Sequence, residues 1–193
     1  MKVLFTGLPY FSAKLVEELN EFDKKNKYVF CDTYSSKWEQ IKFLLHLFTA
    51  KVVVSFNGVT TESGSLNLAL KFKKKIIMQW HGTDVLNVSS NKEKGIFTDK
   101  YLKESVSFTD CSWLQEELIE QKIDCGILQF KHVEVESNSA NYPSISVLSY
   151  LGKGREQFYG FDNIVELAKA NPSIHFTLVG TDGIGLETTE NIQ

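Results

Sequence analysis

Four short stretches of this 193-residue chain hold residue types that can do chemistry. The sharpest is Trp80-His81-Gly82-Thr83-Asp84, directly after the apolar run KIIMQ. There His81 can donate a hydrogen bond or a proton to a polar ligand, and Gly82 lets a ligand approach the backbone. Asp84 can accept from a ligand hydroxyl or cap a following helix. An ordinary turn accounts for the same residues, with Gly for positive φ and Thr and Asp for local backbone bonding. Gly7-Leu8-Pro9 ends the first apolar run. It reads as a tight turn whose backbone N–H groups face an anion, or as a plain strand-to-helix connection. Lys71, Lys73, Lys74 and Lys75 crowd one helix end. They suit the helix dipole and solubility, or alternatively attract anionic lipid or substrate. Ser112, with Gln115 three residues on, reads as a capping box with a structural role.

Several chemistries are excluded by what is missing. There is no GxGxxG after the first strand, no GxxxxGK[ST], no GxSxG, no HExxH and no pair of Asp two residues apart. The three Cys, at 31, 111 and 125, have no metal-ligand spacing and read as buried thiols of a reducing compartment, so no metal site is expected. A net charge of −3 gives no global drive toward nucleic acid. That total hides an asymmetry. Residues 1–105 carry 16 Lys and 11 acids, net +5, while residues 106–193 carry 5 Lys/Arg and 13 acids, net −8. Two halves of opposite sign suggest two units. The amino terminus, with Pro9 so close, does not read as a signal peptide, and no run of about 18 apolar residues exists.

The elements that must position these residues alternate. Strands are expected at 2–7, 27–32, 51–56, 75–80, 105–109 and 125–131, from short apolar runs rich in Val and Ile. Helices are expected at 11–25, 36–49, 62–73, near 93–104 and at 112–121, with a loop over 81–92. Residues 134–143 are polar and turn-rich and read as a linker. The pattern then restarts with strand 145–151, helix 161–170 and strand 174–180. Strands alternating with helices mean crossovers, hence an α/β fold with a parallel sheet covered by helices on both faces. In such sheets ligands bind beyond the carboxyl ends of the strands. That rule selects residues 7–10, 57–61, 81–84, 111–113 and 152–160. The second unit stops short of a full sheet, so the natural chain is expected to continue.

The ordered motifs resemble a known family. VVVSFNGVTTESGSLNLALKFKKKIIMQWHGTDVL looks like the amino-terminal domain of GT-B glycosyltransferases of the large retaining nucleotide-sugar family. SFTDCSWLQEELIEQKI resembles the later strand and helix of that domain, and ISVLSYLGKGREQFYGFDNIVELAKANPSIHFTLVGTDG the start of the carboxyl-terminal domain. TTENIQ resembles the approach to a further strand. The resemblance implies Rossmann-like domains: acceptor domain 1–133, linker 134–143, and the truncated start of a donor domain at 144–193. It implies no metal and no cofactor. His81 matches the family His that reaches the donor sugar or its phosphate. Gly7 matches the loop near the diphosphate, and Gly154-Arg155 resembles the family Gly-Arg whose Arg contacts phosphate. Asp84, with Thr83 and Pro9, lies where acceptor contacts are made. Tyr159 stands before Gly160 where the family has Lys, and Lys153 is the substitute. The two Glu eight positions apart that mark the family do not occur in residues 1–193.

The resemblance implies a sugar transferase. Its partners are a nucleotide diphosphate sugar, a glycan or lipid-linked acceptor and an anionic membrane surface, in the cytoplasm or peripheral to the membrane's inner face. Residues 1–193 alone are expected to transfer no sugar. The rival reading is a non-catalytic Rossmann-like or flavodoxin-like binding module. A receiver domain is disfavoured, because only Asp32, Asp84 and Asp110 are candidates for its acidic cluster.

Overall fold

The computed structural model describes residues 1–129, 145–181 and 187–193. They fall in two compact units, Met1–Glu134 and Val135–Gln193. The linker read at 134–143 lies outside the described residues, as do the last residues of the strand read at 125–131.

The first unit is a six-stranded sheet, every pair parallel, in the order β2-β1-β3-β4-β5-β6. Its strands are β1 Lys2–Thr6, β2 Lys27–Phe30, β3 Val52–Ser55, β4 Lys75–Trp80, β5 Ser105–Thr109 and β6 Gly126–Ile127. Parallel neighbours require crossovers, supplied by α1 Pro9–Phe22, α2 Lys37–Thr49, α3 Gly64–Lys71, α4 Gly82–Glu93 and α5 Ser112–Glu120. The side-chain period of two splits each strand between two cores. Leu4, Val53, Ile76, Met78 and Trp80 pack against Phe43 and Leu47 of α2, Leu66 of α3, Val88 of α4 and Leu118 of α5. Val3, Phe5, Val54 and Phe56 take the other face, where Leu15 and Val16 of α1 cover them. The fold is thus a Rossmann-like α/β sheet with helices on both faces.

One helix differs from expectation. Residues 81–92 do not form a loop before a helix at 93–104; α4 starts at Gly82 and ends at Glu93. Asp84 Oδ1 accepts the His81 backbone N–H at 2.8 Å, which starts the helix early. Gly95, at φ +67, stops it, and Ile96 N–H closes back on the Asn91 carbonyl at 3.0 Å. The chain then turns so that Tyr101 is fully buried, its hydroxyl accepting from the Ser63 N–H at 2.8 Å. Only a single 3-10 turn, Leu102–Glu104, remains of the helix read there.

The second unit pairs β7 Ser146–Tyr150 with β8 His175–Val179 in parallel, joined by α6 Phe161–Ala170. Its core is Leu151, Phe161, Val165, Ala168, Phe176 and Ile192. Ile192 bridges Phe176 in parallel, so a further pairing begins where TTENIQ was read as approaching a strand.

Candidate functional site

The strand order reverses between β1 and β3, because β2 lies on one side of β1 and all later strands on the other. Crevices of open parallel sheets open at such a reversal, beyond the carboxyl ends. Here Gly7 follows β1 and Asn57 follows β3, and they touch: a Cβ on Gly7 would stand 2.0 Å from Asn57 Oδ1. Gly7 and Leu8 both have positive φ, +88 and +30. Leu8 bears a side chain in a region that favours Gly, and such strain gathers at functional sites. Pro9 then enters α1 at its first turn, where its missing N–H costs nothing.

A cavity of about 750 Å³ opens over this point. Its lining joins four strand ends: Leu8, Pro9 and Phe11 after β1; Asp32, Tyr34 and Ser35 after β2; Asn57 after β3; and His81, Gly82, Thr83, Asp84 and Asn87 after β4. A larger cavity of about 860 Å³ lies beside β5 and β6, walled by Lys92, Phe97, Val106 and Phe108 among others. The loops that reach it lead into the amino ends of β5 and β6, so the candidate site is the first cavity.

His81 is half-buried, with its side chain 25% exposed, so it is less open than a cleft-surface residue. Its ring lies 4.6 Å from that of Phe56. Asp110 Oδ2, at the end of β5, stands 3.8 Å from Nδ1. Burial pushes the imidazole below its usual value and the Asp110 carboxylate opposes the shift, so His81 is neutral near pH 7. Among the described residues its buried Nε2 has no partner, and neither has Asp110 Oδ1.

Asp84 ties the site together. Its carboxyl accepts the N–H of Gly58, of His81 at 2.8 Å and of Val85 at 3.0 Å. One side chain therefore joins the loop after β3 to the start of α4. Burial raises its carboxyl from 3.8 to about 6, against those three bonds. Behind it, Trp80 is fully buried and fills the space where Gly58 lacks a side chain; a Cβ there would meet the ring at 1.9 Å.

The structure brings Pro9, His81, Thr83 and Asp84 to one cavity, and Gly7 sits against Asn57 of its lining. Residues 111–113 do not line it. Lys153 and Arg155 belong to the other unit, on the exposed turn between β7 and α6. Asp32, Tyr34, Asn87 and the contact of Asp110 with His81 were not singled out as site features; only the strand-end rule pointed toward Asn57. Cys111 and Cys125 have thiols raised by burial and Cys31 is pushed up to about 11, so none is a ready thiolate nucleophile. Among the described residues no three His, Cys, Asp or Glu stand close enough to hold a metal ion, and no helix is long and apolar enough to cross a membrane.

No family model and no curated protein matches this chain. Solved structures do. The crystal structure of UDP-GlcNAc 2-epimerase from Neisseria meningitidis bound to UDP-GlcNAc is similar at 15% identity and TM-score 0.56, over 100% of this chain and 71% of that one. The S. aureus MnaA–UDP co-structure is similar at 13% identity and TM-score 0.55, over 100% and 68%. A putative UDP-N-acetylglucosamine 2-epimerase from Listeria monocytogenes is similar at 12% identity and TM-score 0.50, over 92% and 62%. What this chain shares with them is the fold.

Proposed function

We propose that this chain belongs to a nucleotide-sugar enzyme and that its reaction moves a sugar from a nucleotide diphosphate sugar to a glycan or lipid-linked acceptor. The supporting observation is the cavity at the β1/β3 reversal, where four strand ends and the start of α4 converge. The structural neighbours, two of them named as complexes with UDP-GlcNAc and UDP, support the nucleotide-sugar half of the reading.

In this reading the turn at Gly7 and the uncapped first turn of α1 face the diphosphate, and the second unit, taken by itself, offers Lys153 and Arg155 as cations for a donor phosphate. His81 contacts the reacting sugar as a neutral imidazole. Thr83 and Pro9 meet the acceptor. Asp84 contributes by holding the loop after β3 against α4, since its carboxyl already takes three backbone N–H groups. Glycosyl transfer passes through an oxocarbenium-like transition state, so catalysis rests on positioning and on stabilising the leaving diphosphate. No step requires a metal or cofactor.

The epimerase neighbours favour a second reading, in which the same bound nucleotide sugar is epimerised at its ring and no acceptor takes part. The experiment is a melting screen against UDP, UDP-glucose, UDP-GlcNAc and free GlcNAc, followed by NMR of the sugar products. Stabilisation by a UDP-sugar beyond UDP alone supports the nucleotide-sugar site. A glycoside product marks transfer, and a C2 epimer marks the second reading. Stabilisation by none of the four contradicts both readings.

A further inference from the structure

Helix α2 has two apolar faces, although a surface helix needs one. Phe43 and Leu47 are buried against the sheet. On another side Trp38, Ile41, Leu45 and Phe48 are 67%, 45%, 63% and 59% exposed. Their spacing of three, four and three sets them in one stripe along the helix. Phe72, at the end of α3, extends the stripe, its ring meeting that of Phe48 edge-on at 5.1 Å. Single exposed apolar residues are ordinary, but a contiguous row of this length marks an interaction surface.

Cations border the row. By helical periodicity Lys37 and Lys42 fall on its two sides. Lys71, Lys73 and Lys75 are exposed around Phe72, and the four salt bridges found among the described residues involve none of them. Lys74 donates to the Phe48 and Ala50 carbonyls at 3.4 and 2.9 Å, which fixes the end of α3 against the end of α2. Two acids are close: Glu39, bonded to Lys42, and Glu104, beside Lys73 to Lys75. The balance remains cationic.

We propose that the exposed stripe of α2 and the lysines at the end of α3 form a docking face for an anionic lipid bilayer. Trp38, Ile41, Leu45 and Phe48 enter the headgroup boundary while the lysines meet lipid phosphates. Charge decides against a second copy of this chain, because two-fold pairing of one patch would set its lysines against themselves. None of the four stripe residues lines the cavity over the β1/β3 reversal, so this face and the nucleotide-sugar reading stand or fall separately.

The test is co-sedimentation of the 193-residue chain with phosphatidylcholine vesicles and with vesicles one-quarter phosphatidylglycerol, at low and high salt. Binding at least about tenfold tighter to the anionic vesicles, weakening as salt shortens the screening length below about 8 Å, is expected. In a Trp113→Phe background, Trp38 emission should shift to the blue on binding while buried Trp80 stays constant. Leu45→Glu with Phe48→Glu should abolish binding, and Lys71→Glu with Lys73→Glu should weaken it. Because these side chains are exposed, the melting temperature and any nucleotide-sugar stabilisation should not change. Equal affinity for both vesicles, or binding to neither, overturns the proposal. So does a dimer seen by light scattering without lipid that Leu45→Glu dissolves, which would assign the face to a second copy.

Discussion

Two of the strand-to-helix turns in the proposed chemistry are built in opposite ways. The turn after β4 runs straight from Trp80 through His81 into α4, and its one carboxyl is buried and shared among three backbone N–H groups. The turn after β7 spans residues 151–160 with Gly154 and Gly160 at φ +73 and +79, and it holds Lys153 and Arg155 at the surface. Glu156 braces it, its Oε1 accepting from the Gly154 N–H at 3.0 Å and the Thr181 hydroxyl at 2.9 Å. Burial makes the first turn stiff and shifts its carboxyl toward the neutral form, while the second turn is exposed and carries Arg155. The first can select by shape and hydrogen bonding, and the second can attract an anion.

The largest effect should come from adding one methyl beside each, at Gly58 in the loop after β3 that Asp84 ties to the first turn and at Gly154 within the second. Gly58→Ala drives a Cβ into the Trp80 ring, which has no free space to move into. A loss of about 3 kcal/mol is expected in denaturant unfolding followed by tryptophan fluorescence. Gly154 has open space around its Cβ position, so Gly154→Ala should cost only the left-handed backbone, about 1 kcal/mol. Equal losses would erase the contrast between a packed and an open turn.

Asp84→Ala comes next, at about 2 kcal/mol near pH 5, since three N–H groups lose their acceptor. The pH dependence sharpens this. Burial raises the Asp84 carboxyl above its unfolded value, so the fold favours its protonated form. That contribution is fully present below about pH 4 and is lost as pH rises through about 6, amounting to about 3 kcal/mol at most. The difference in stability between wild type and Asp84→Asn, followed from pH 4 to 7, isolates it from carboxyls such as Asp23, Glu39, Glu62 and Asp99, whose values are lowered and whose slope is opposite. A difference that does not vary with pH would mean that Asp84 is hydrated.

Much of this was legible in the sequence. Short Val- and Ile-rich runs marked the strands, and His-Gly-Thr-Asp after KIIMQ marked the edge where the cavity opens. The start of α4 was hidden because Gly82 and Thr83 are weak helix formers, and the Asp84 carboxyl that compensates was one of two roles open to that residue. The place of β2 outside β1 is a long-range choice that no local pattern encodes. Helical periodicity over 36–49 does not say which side faces the sheet, so Phe43 and Phe48 look alike in the sequence although one is buried and the other exposed. The Asp110–His81 contact joins the ends of β4 and β5, which only their parallel register brings together.

Smaller effects separate the turns functionally. Arg155→Ala should leave stability within about 0.5 kcal/mol and weaken UDP binding most at low salt, as for an exposed cation. Asp110→Asn should lower the His81 titration point followed by NMR, because it removes the carboxylate that opposes burial. His81→Ala should cost about 1 kcal/mol of stability for the lost Phe56 contact.

The most direct test of the central claim, that the carboxyl edge at the β1/β3 reversal is the nucleotide-sugar site, is amide NMR during titration with UDP-GlcNAc. The predicted result is saturable shifts at Gly7, Leu8, Asn57, Gly58, His81 and Thr83, weakened at least about tenfold by His81→Ala in a protein that remains folded. Shifts confined to the cavity beside β5 and β6, around Lys92, Phe97 and Val106, would contradict it.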